Sequence, residues 1–421
     1  MFPKLKLSPH YLVNLITTFL SQACSAGLII FLIPILQTNF NITEFSSYGV
    51  LLNIVLFTAA FDFGLNLGLM RRLIHERIRA SALISSCFFF FLFIFAVSIP
   101  VFIVLYYTDV LHTSGDFLIN ALLTSVLVLQ TIVATLFDVI LQSANKIFIG
   151  KLIRIGKTII EFVVLFYLSQ QGSATVLLLG SGVINLFFIS TLYYFSKKET
   201  DFTISMHQYS WTLLKDHIGY SFWYFLNSIG VVFVFNSQII LLNSLATKAE
   251  VASYILVSRF LDVVRMGATN FTVILFPTLA HKEMMGEWNN LKKTYFKVLT
   301  GVALLSTAIL IFLLTVGRFV FEYWSGQDGQ AINQVYTVFS IFTILIVIDN
   351  VSSVFLHALR LNKIQTIISI GQGILALLLG ALLLKGLGIV GFTIGSVIAL
   401  LVTNFFYNPW HLLAQFRKRV E

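Results

Sequence analysis

Residues 81–107 form the run SALISSCFFFFLFIFAVSIPVFIVLYY, in which no side chain is charged. A helix needs about 20 apolar residues to cross the roughly 30 Å hydrocarbon layer of a bilayer. Hydrocarbon offers no partner to a free backbone amide, so spanning elements must be helices or closed barrels. The run far exceeds the roughly ten-residue alternating strands of a barrel, and it therefore predicts a transmembrane helix.

The apolar character extends over the whole chain. Of 421 residues, 58% are hydrophobic and only 11% are charged, against about 25% charged in soluble proteins. The polar surface is too small to cover a water-soluble globule, so the predicted fold class is an all-α polytopic membrane protein. The net charge of +9 comes from short clusters between apolar runs. These clusters indicate membrane topology rather than a nucleic-acid partner.

Cutting the chain at its polar and charged clusters predicts about 12 transmembrane helices, each long enough to cross the hydrocarbon layer. The runs are 11–36, 45–70, 81–107, 117–142, 152–170, 174–195, 219–245, 250–278, 296–316, 331–358, 364–384 and 388–410.

The cations predict the orientation of these helices. Of the 27 Lys and Arg residues, 22 fall in loops and flanks on one side of the predicted membrane. Three lie on the other side (Lys248, Arg318 and Lys385), and two lie within the eighth run. Because cytoplasmic loops are enriched in Lys and Arg, both termini are expected in the cytoplasm of a multi-pass protein.

The two halves of the chain share short motifs at equivalent positions. The pattern E-x-x-S-Y begins the second run at Glu44–Tyr48 and the eighth run at Glu250–Tyr254. The tripeptide N-K-I follows the fourth run at Asn145–Ile147 and the tenth at Asn362–Ile364. Six helices per half return the chain to the same face, so we predict a parallel repeat about an axis along the membrane normal.

This repeat predicts the domain organisation. We expect an N-terminal six-helix lobe at 1–198, a cytoplasmic interfacial linker at 199–218, and a C-terminal six-helix lobe with a short basic tail at 219–421. Two such lobes are expected to enclose a cleft that opens to either side of the membrane in turn.

Four segments of the chain carry a family resemblance: Glu44–Gly49, Phe61–Leu65 with Arg71–Arg72, Ser253–Pro277 and Tyr323–Gly326. In these segments the chain resembles the polysaccharide flippases of the multidrug, oligosaccharidyl-lipid and polysaccharide (MOP) transporter superfamily, most closely the Wzx-type O-antigen flippases. The resemblance implies transfer of a polyprenyl-pyrophosphate-linked oligosaccharide across a bacterial inner membrane in lipopolysaccharide biosynthesis. It also implies partners in the polysaccharide polymerase and chain-length machinery. Many relatives carry an acid midway along the seventh helix, where this chain has Asn236 and Gln238.

Charged groups within the runs are the candidate functional residues, because burying a charge in a membrane costs several kcal/mol. Arg259, Asp262 and Arg265 lie at i, i+3 and i+6 on the eighth run. One carboxylate can pair with either guanidinium, which leaves a cation for an anionic substrate. We therefore predict that Arg259 and Arg265 bind a pyrophosphate group. The alternative is that both arginines form ion pairs that only hold the lobe together.

Four acids, Asp62, Asp138, Glu161 and Asp349, are candidates for ion coupling or for lining a cavity. Each is also explained by a structural role, and Glu161 has an ordinary ion-pair partner in Lys157 at i−4.

Four cytoplasmic cations, Arg71, Arg72, Lys146 and Lys151, are candidates for collecting an anionic lipid-linked substrate before loading. Topology and attraction to anionic lipid explain the same residues.

Enzyme chemistry has no visible basis in the sequence. There is no Walker loop, no metal-spaced His or Cys cluster and no nucleophile elbow, so we expect neither an enzyme nor a cofactor or metal. A polysaccharide polymerase or a transferase remains a less favoured alternative, because the longest predicted outer loop spans only 317–330. A multidrug or cation-coupled exporter of the same superfamily is a closer alternative. The two arginines of the eighth run favour anionic cargo over cationic drugs.

Overall fold

A computed structural model describes residues 9–75, 79–108, 116–273, 275, 279, 282–283, 285–359 and 361–420. Within these residues all regular secondary structure is helical, which confirms the predicted all-α class. The first half contains α1 (Pro9–Asn39), α2 (Ile42–Ala59), α3 (Leu65–His75), α4 (Ala80–Tyr107), α5 (Phe117–Ser143), α6 (Ile147–Ser169) and α7 (Ala174–Thr200).

The second half begins with α8 (Trp211–Phe235), after a short 3-10 turn at Met206–Gln208. It continues with α9 (Ser237–Leu245), α10 (Lys248–Val273), α11 (Trp288–Phe312), α12 (Arg318–Ser325), α13 (Gln330–Ala358), α14 (Asn362–Leu400) and α15 (Phe406–Val420). Single π-helical turns at Leu313–Gly317 and Leu401–Phe405 join α11 to α12 and α14 to α15.

The described helices account for the twelve predicted runs. Nine stretches are long and apolar enough to cross a membrane, and one of them, the 57-residue stretch Lys363–Arg419, covers the last two runs. The remaining two runs correspond to α6 and α10, which carry more charge than such a span normally tolerates. The charged residues are Lys151, Arg154, Lys157 and Glu161 on α6, and Lys248, Glu250, Arg259, Asp262 and Arg265 on α10.

The helical stretch Asn362–Leu400 contains a reversal of chain direction at Gly388. Its φ of 59° and ψ of −152° lie outside the helical range and in a region that favours glycine. A Cβ on Gly395 would lie 2.5 Å from the backbone nitrogen of Gly380, whereas fifteen residues of straight helix span about 22 Å. The segments before and after Gly388 therefore pack side by side, as the separate runs 364–384 and 388–410 predict.

The second predicted run, 45–70, is interrupted, and here the prediction of one continuous helix was wrong. α2 ends at Ala59 and α3 begins at Leu65. Between them Phe63 and Gly64 have φ values of 56° and 68°, which a helix cannot accommodate. Asp62 accepts a hydrogen bond from the backbone N–H of Gly64 at 2.8 Å. A short polar side chain and a glycine therefore stop and restart the helix inside an apolar run.

The motifs shared by the two halves occupy equivalent places in the structure. Glu44 lies in the first turn of α2, and Glu250 lies in the first turn of α10. Ile147 begins α6, and Asn362 begins α14. Tyr48 and Tyr254, the last residues of the two E-x-x-S-Y motifs, are both buried. These placements support the two-lobe repeat.

The chain divides into two compact units, residues 1–225 and 226–421. In the first unit, the chain just before α3 packs closely on the middle of α8, because a Cβ on Gly64 would lie 2.5 Å from the backbone nitrogen of Phe225. In the second unit, one core cluster joins α11, α13 and α15 around Tyr295, Phe355 and Phe416.

The close approach at Gly395 makes a testable prediction. Gly395→Ala should destabilise the protein by about 1–3 kcal/mol, because the added methyl group meets backbone atoms that cannot move aside. Thermal unfolding of the detergent-solubilised protein measures this change. Gly371→Ala is the matched control, because a Cβ at Gly371 meets no described atom within 4 Å. The packing is contradicted if both variants unfold at the temperature of the unmodified protein.

Candidate functional site

Three charged residues form a cluster on one face of α10. Arg265 Nη2 lies 2.7 Å from Asp262 Oδ1, and Arg259 Nη1 lies 3.5 Å from Asp262 Oδ2. The side chains are between 18% and 25% exposed, so none is fully withdrawn from solvent. Two guanidinium groups share one carboxylate, and the cluster keeps one positive charge in excess.

The two arginines of this cluster are held differently. Arg265 makes two hydrogen bonds to Asp262, and its guanidinium carbon lies 3.9 Å from the ring centroid of Phe235 on α8. A cation over an aromatic face at this distance is held in place. Arg259 approaches Asp262 at a longer distance from the other side. The geometry makes Arg259 the better candidate for contacting an anion and Arg265 a residue that positions the carboxylate.

A second polar region is a cavity of about 430 Å³ within the first unit. It lies among α1, α2, α5, α6 and α7 and is lined by Ser25, Leu28, Ile29, Leu56, Gln130, Thr131, Ala134, Thr135, Arg154, Lys157, Thr158, Glu161, Asn185 and Phe188. Its volume falls in the range of about 300–1,000 Å³ that is typical of small-molecule sites. We call it the unit-1 cavity.

The charges at the unit-1 cavity are paired. Lys157 Nζ lies 3.3 Å from Glu161 on the same helix, the i, i+4 pair expected from the sequence. Arg154 Nη2 lies 3.3 Å from Asp138 Oδ2 on the neighbouring α5, and Gln142 donates to the same oxygen at 3.1 Å. Each of the two cations that line the cavity therefore has a carboxylate partner, and one of these partners, Asp138, lies outside the lining.

Neither Arg154 nor Lys157 was predicted as a site residue, although both fall inside the predicted run 152–170. Arg154 was counted as a cytoplasmic cation, and Lys157 also as the ion-pair partner of Glu161. They lie about 10 and 15 Å along α6 from its first residue, at a rise of 1.5 Å per residue. Together with Glu161 they occupy i, i+3 and i+7, which is one face of a helix. That spacing could have predicted a shared polar face from the sequence. Only the packing of α6 on its neighbours shows that this face borders a cavity.

The other two candidate acids occupy separate places. Asp62 caps the start of α3 through its contact with Gly64 and does not line the unit-1 cavity. Asp349 on α13 accepts a hydrogen bond from Asn408 on α15 at 2.9 Å, and Asn408 also donates to Ser353. Among the described residues no group of three or more His, Cys, Asp or Glu side chains could hold a metal ion.

The predicted loading cations whose side chains the structure describes lie in different surroundings. Arg72 forms an ion pair with Asp216 and lies over the ring of Tyr220, so it ties α3 to α8. Lys146 lies 3.4 Å from Glu199. Lys151 is half-buried on α6. The side chain of Arg71 falls outside the described part of the chain.

The fold is similar to that of solved transporters. A multidrug resistance MATE family transporter of the MOP superfamily, in an inward-facing conformation, aligns over 94% of this chain and 96% of its own, with a TM-score of 0.75 and 14% identity. A MATE protein in complex with MaL6 aligns over 97% of both chains, with a TM-score of 0.68 and 12% identity.

A third similar structure is a MOP superfamily transporter from Pyrococcus furiosus Vc1, whose binding pocket is described as having reverse polarity. It aligns over 96% of both chains, with a TM-score of 0.60 and 14% identity. At these identities the likeness shows the fold alone. No curated protein sequence matches the chain. The sequence profile of a family described as "Polysaccharide biosynthesis protein" matches residues 43–328.

The shared carboxylate of α10 makes a second prediction. Asp262→Asn should destabilise the protein by about 1–3 kcal/mol, because two guanidinium groups lose their common counter-charge at a site about one-fifth exposed. Thermal unfolding measures the loss. The double variant Asp262→Asn/Arg265→Gln should recover much of it, because it removes one of the two repelling cations. If the unmodified protein, the single variant and the double variant are equally stable, the three charges of the cluster are not energetically coupled.

Proposed function

Because the chain belongs to the family of polysaccharide biosynthesis proteins and has the fold of the MOP superfamily transporters, we propose that it is a flippase for a lipid-linked oligosaccharide. The proposed cargo is a polyprenyl-pyrophosphate-linked repeat unit of O-antigen or a similar surface polysaccharide. The protein moves it from the inner to the outer leaflet of the membrane. The family supports a polysaccharide-linked cargo, and the fold supports transport.

The excess positive charge of the Arg259–Asp262–Arg265 cluster is the observation that carries this proposal. A pyrophosphate linkage brings negative charge into the bilayer, where an uncompensated ion is strongly disfavoured. Guanidinium presents a planar fork of donors that matches phosphate oxygens, and it stays charged when partly desolvated. Arg259 therefore contacts the pyrophosphate, while Arg265 and Phe235 hold the shared carboxylate in position.

The proposed transport step follows from the chemistry of the cargo. An unpaired hydroxyl costs about 2–7 kcal/mol on transfer to hydrocarbon, so a glycan with many hydroxyls cannot cross the bilayer unshielded. In the proposed cycle the sugars pass along polar surfaces of the protein while the lipid tail stays in the bilayer. Alternating access of the two halves carries the head group across.

The proposed setting is the bacterial inner membrane, with both termini in the cytoplasm. The nine described stretches able to span a membrane support a multi-pass protein, and the Lys and Arg asymmetry supports this orientation. Membrane lipid is a proposed partner, together with the polysaccharide polymerase and the chain-length machinery that act on the translocated cargo. We propose no catalytic role for the chain.

Drug export is the second candidate, because two of the similar structures are MATE proteins and one of these is a multidrug resistance transporter. A cationic drug would meet the excess positive charge of the α10 cluster, which disfavours it. The Pyrococcus furiosus transporter indicates that this fold accommodates binding pockets of different polarity.

Replacing Arg259 tests the proposal. In cells that lack the native gene, Arg259→Ala should lower the transport rate about 10- to 100-fold, the effect of losing a charged hydrogen bond of about 1.5–3 kcal/mol. Arg259→Lys should restore part of the rate, because it keeps the charge but loses the planar fork. The measurements are surface polysaccharide and lipid-linked oligosaccharide retained on the inner leaflet.

Arg318→Ala is the matched control, because Arg318 is 48% exposed and forms an i, i+4 ion pair with Glu322 on its own helix. It should transport at the normal rate. Normal surface polysaccharide in both Arg259 variants, at normal protein levels, would remove this residue from the site. If deletion of the gene causes no accumulation of lipid-linked oligosaccharide, the proposed function itself is wrong.

A further inference from the structure

The unit-1 cavity contains a hydrogen-bonding group that the protein leaves unused. Gln130 is 4% exposed, and its Nε2 donates to the backbone carbonyl of Gly182 at 3.0 Å. Its Oε1 is buried and has no hydrogen-bond partner among the described residues. A buried acceptor left unpaired is unfavourable, and Gln130 is one of the residues that line the cavity.

Hydroxyl and amide groups add to this acceptor. The hydroxyls of Thr131, Thr135 and Thr158 each donate to a backbone carbonyl one turn earlier, which leaves their oxygens as acceptors. The amide of half-buried Asn185 makes no hydrogen bond within the described part of the chain, and it offers both a donor and an acceptor. A molecule with several hydroxyl groups matches this set.

The charges of the cavity narrow the choice of ligand. Arg154 and Lys157 are each within 3.3 Å of a carboxylate, so their charge is already compensated and a phosphate would find no excess cation. A metal cation would have to enter beside two fixed positive groups. The paired groups still present fixed donors and acceptors, and Phe188 adds an aromatic surface beside Lys157. The cavity therefore favours a neutral, hydroxyl-rich ligand.

We propose that the unit-1 cavity is a glycan subsite, which holds one or two sugar residues of the cargo through Gln130, Asn185 and the paired side chains of α6. This inference rests on the proposed flippase function and extends it. It assigns the uncharged sugars to the first unit, whereas the pyrophosphate is assigned to Arg259 of the second. Recognition of the glycan thus becomes separable from recognition of the lipid pyrophosphate.

Binding of two lipids to the full-length protein in lipid nanodiscs tests whether the glycan and the pyrophosphate are recognised separately. One is polyprenyl pyrophosphate without sugar, and the other is the same lipid with the complete repeat unit. Asn185→Leu should weaken binding of the glycosylated lipid about three- to tenfold, the effect of one or two neutral hydrogen bonds. It should leave binding of the bare lipid unchanged. Arg259→Ala should weaken binding of both lipids.

Ser190→Ala is the control, because Ser190 lies on the same helix, is exposed and does not line the cavity. The glycan subsite is overturned if Asn185→Leu weakens binding of both lipids equally, or weakens binding of neither. Either result counts against the subsite even if Arg259→Ala behaves as expected. The proposed function fails separately, when Arg259→Ala and the unmodified protein bind both lipids equally well.

Thiol labelling measures whether a ligand occupies the cavity. Ser25→Cys places a thiol in the cavity wall in a Cys24→Ser background, and the remaining Cys87 is buried. The free repeat-unit oligosaccharide should slow alkylation of this thiol by maleimide, and pyrophosphate or sodium chloride should not. Thr38→Cys, exposed on the same helix, should react at a constant rate. Protection by pyrophosphate or sodium instead of the oligosaccharide would overturn the assignment.

Discussion

Hydrocarbon solvates neither a free backbone amide nor an isolated charge, and this constraint governs the structure of the protein. It explains why the described regular structure is helical, and why charged residues on α6 and α10 have ion-pair partners whereas Asp62 and Asp349 accept hydrogen bonds. α6 and α10 carry most of this charge. The charge on α6 is balanced partly by Asp138 of the neighbouring α5, whereas the ion pairs of α10 lie within that helix.

The balance of charge differs between the two units, and this difference gives each a distinct chemistry. On α6, Arg154 and Lys157 each lie 3.3 Å from a carboxylate, so the cations that line the unit-1 cavity are individually paired. On α10 two guanidinium groups share one carboxylate, so the surface attracts anions. A glycolipid with a charged linkage and an uncharged glycan contains one part suited to each surface. This correspondence links the electrostatics of the helices to the proposed cargo.

The sequence predicted the helices more completely than it predicted the site. Hydropathy reflects how each segment by itself partitions between water and hydrocarbon, so the runs could be predicted without tertiary information. The break at 60–64 was missed because Asp62 and Gly64 are too few polar or small residues to lower the hydropathy of the run. The Arg259–Asp262–Arg265 cluster was visible because its members share one helix. The unit-1 cavity was not, because five helices contribute to it and only their packing brings Gln130, Glu161 and Asn185 together.

The reversal at Gly388 has a mechanical consequence. Gly380, Gly391 and Gly395 bring the two segments into backbone contact, and a Cβ at Gly391 would lie 2.4 Å from the carbonyl oxygen of Leu383. Surfaces in such contact cannot slide along each other without collision, and the short connection allows no separation at that end. The helical segments before and after Gly388 are therefore expected to move together as one rigid body. Bending must be absorbed beyond it, where the π-helical turn at Leu401–Phe405 loosens the regular hydrogen bonding of the last helix.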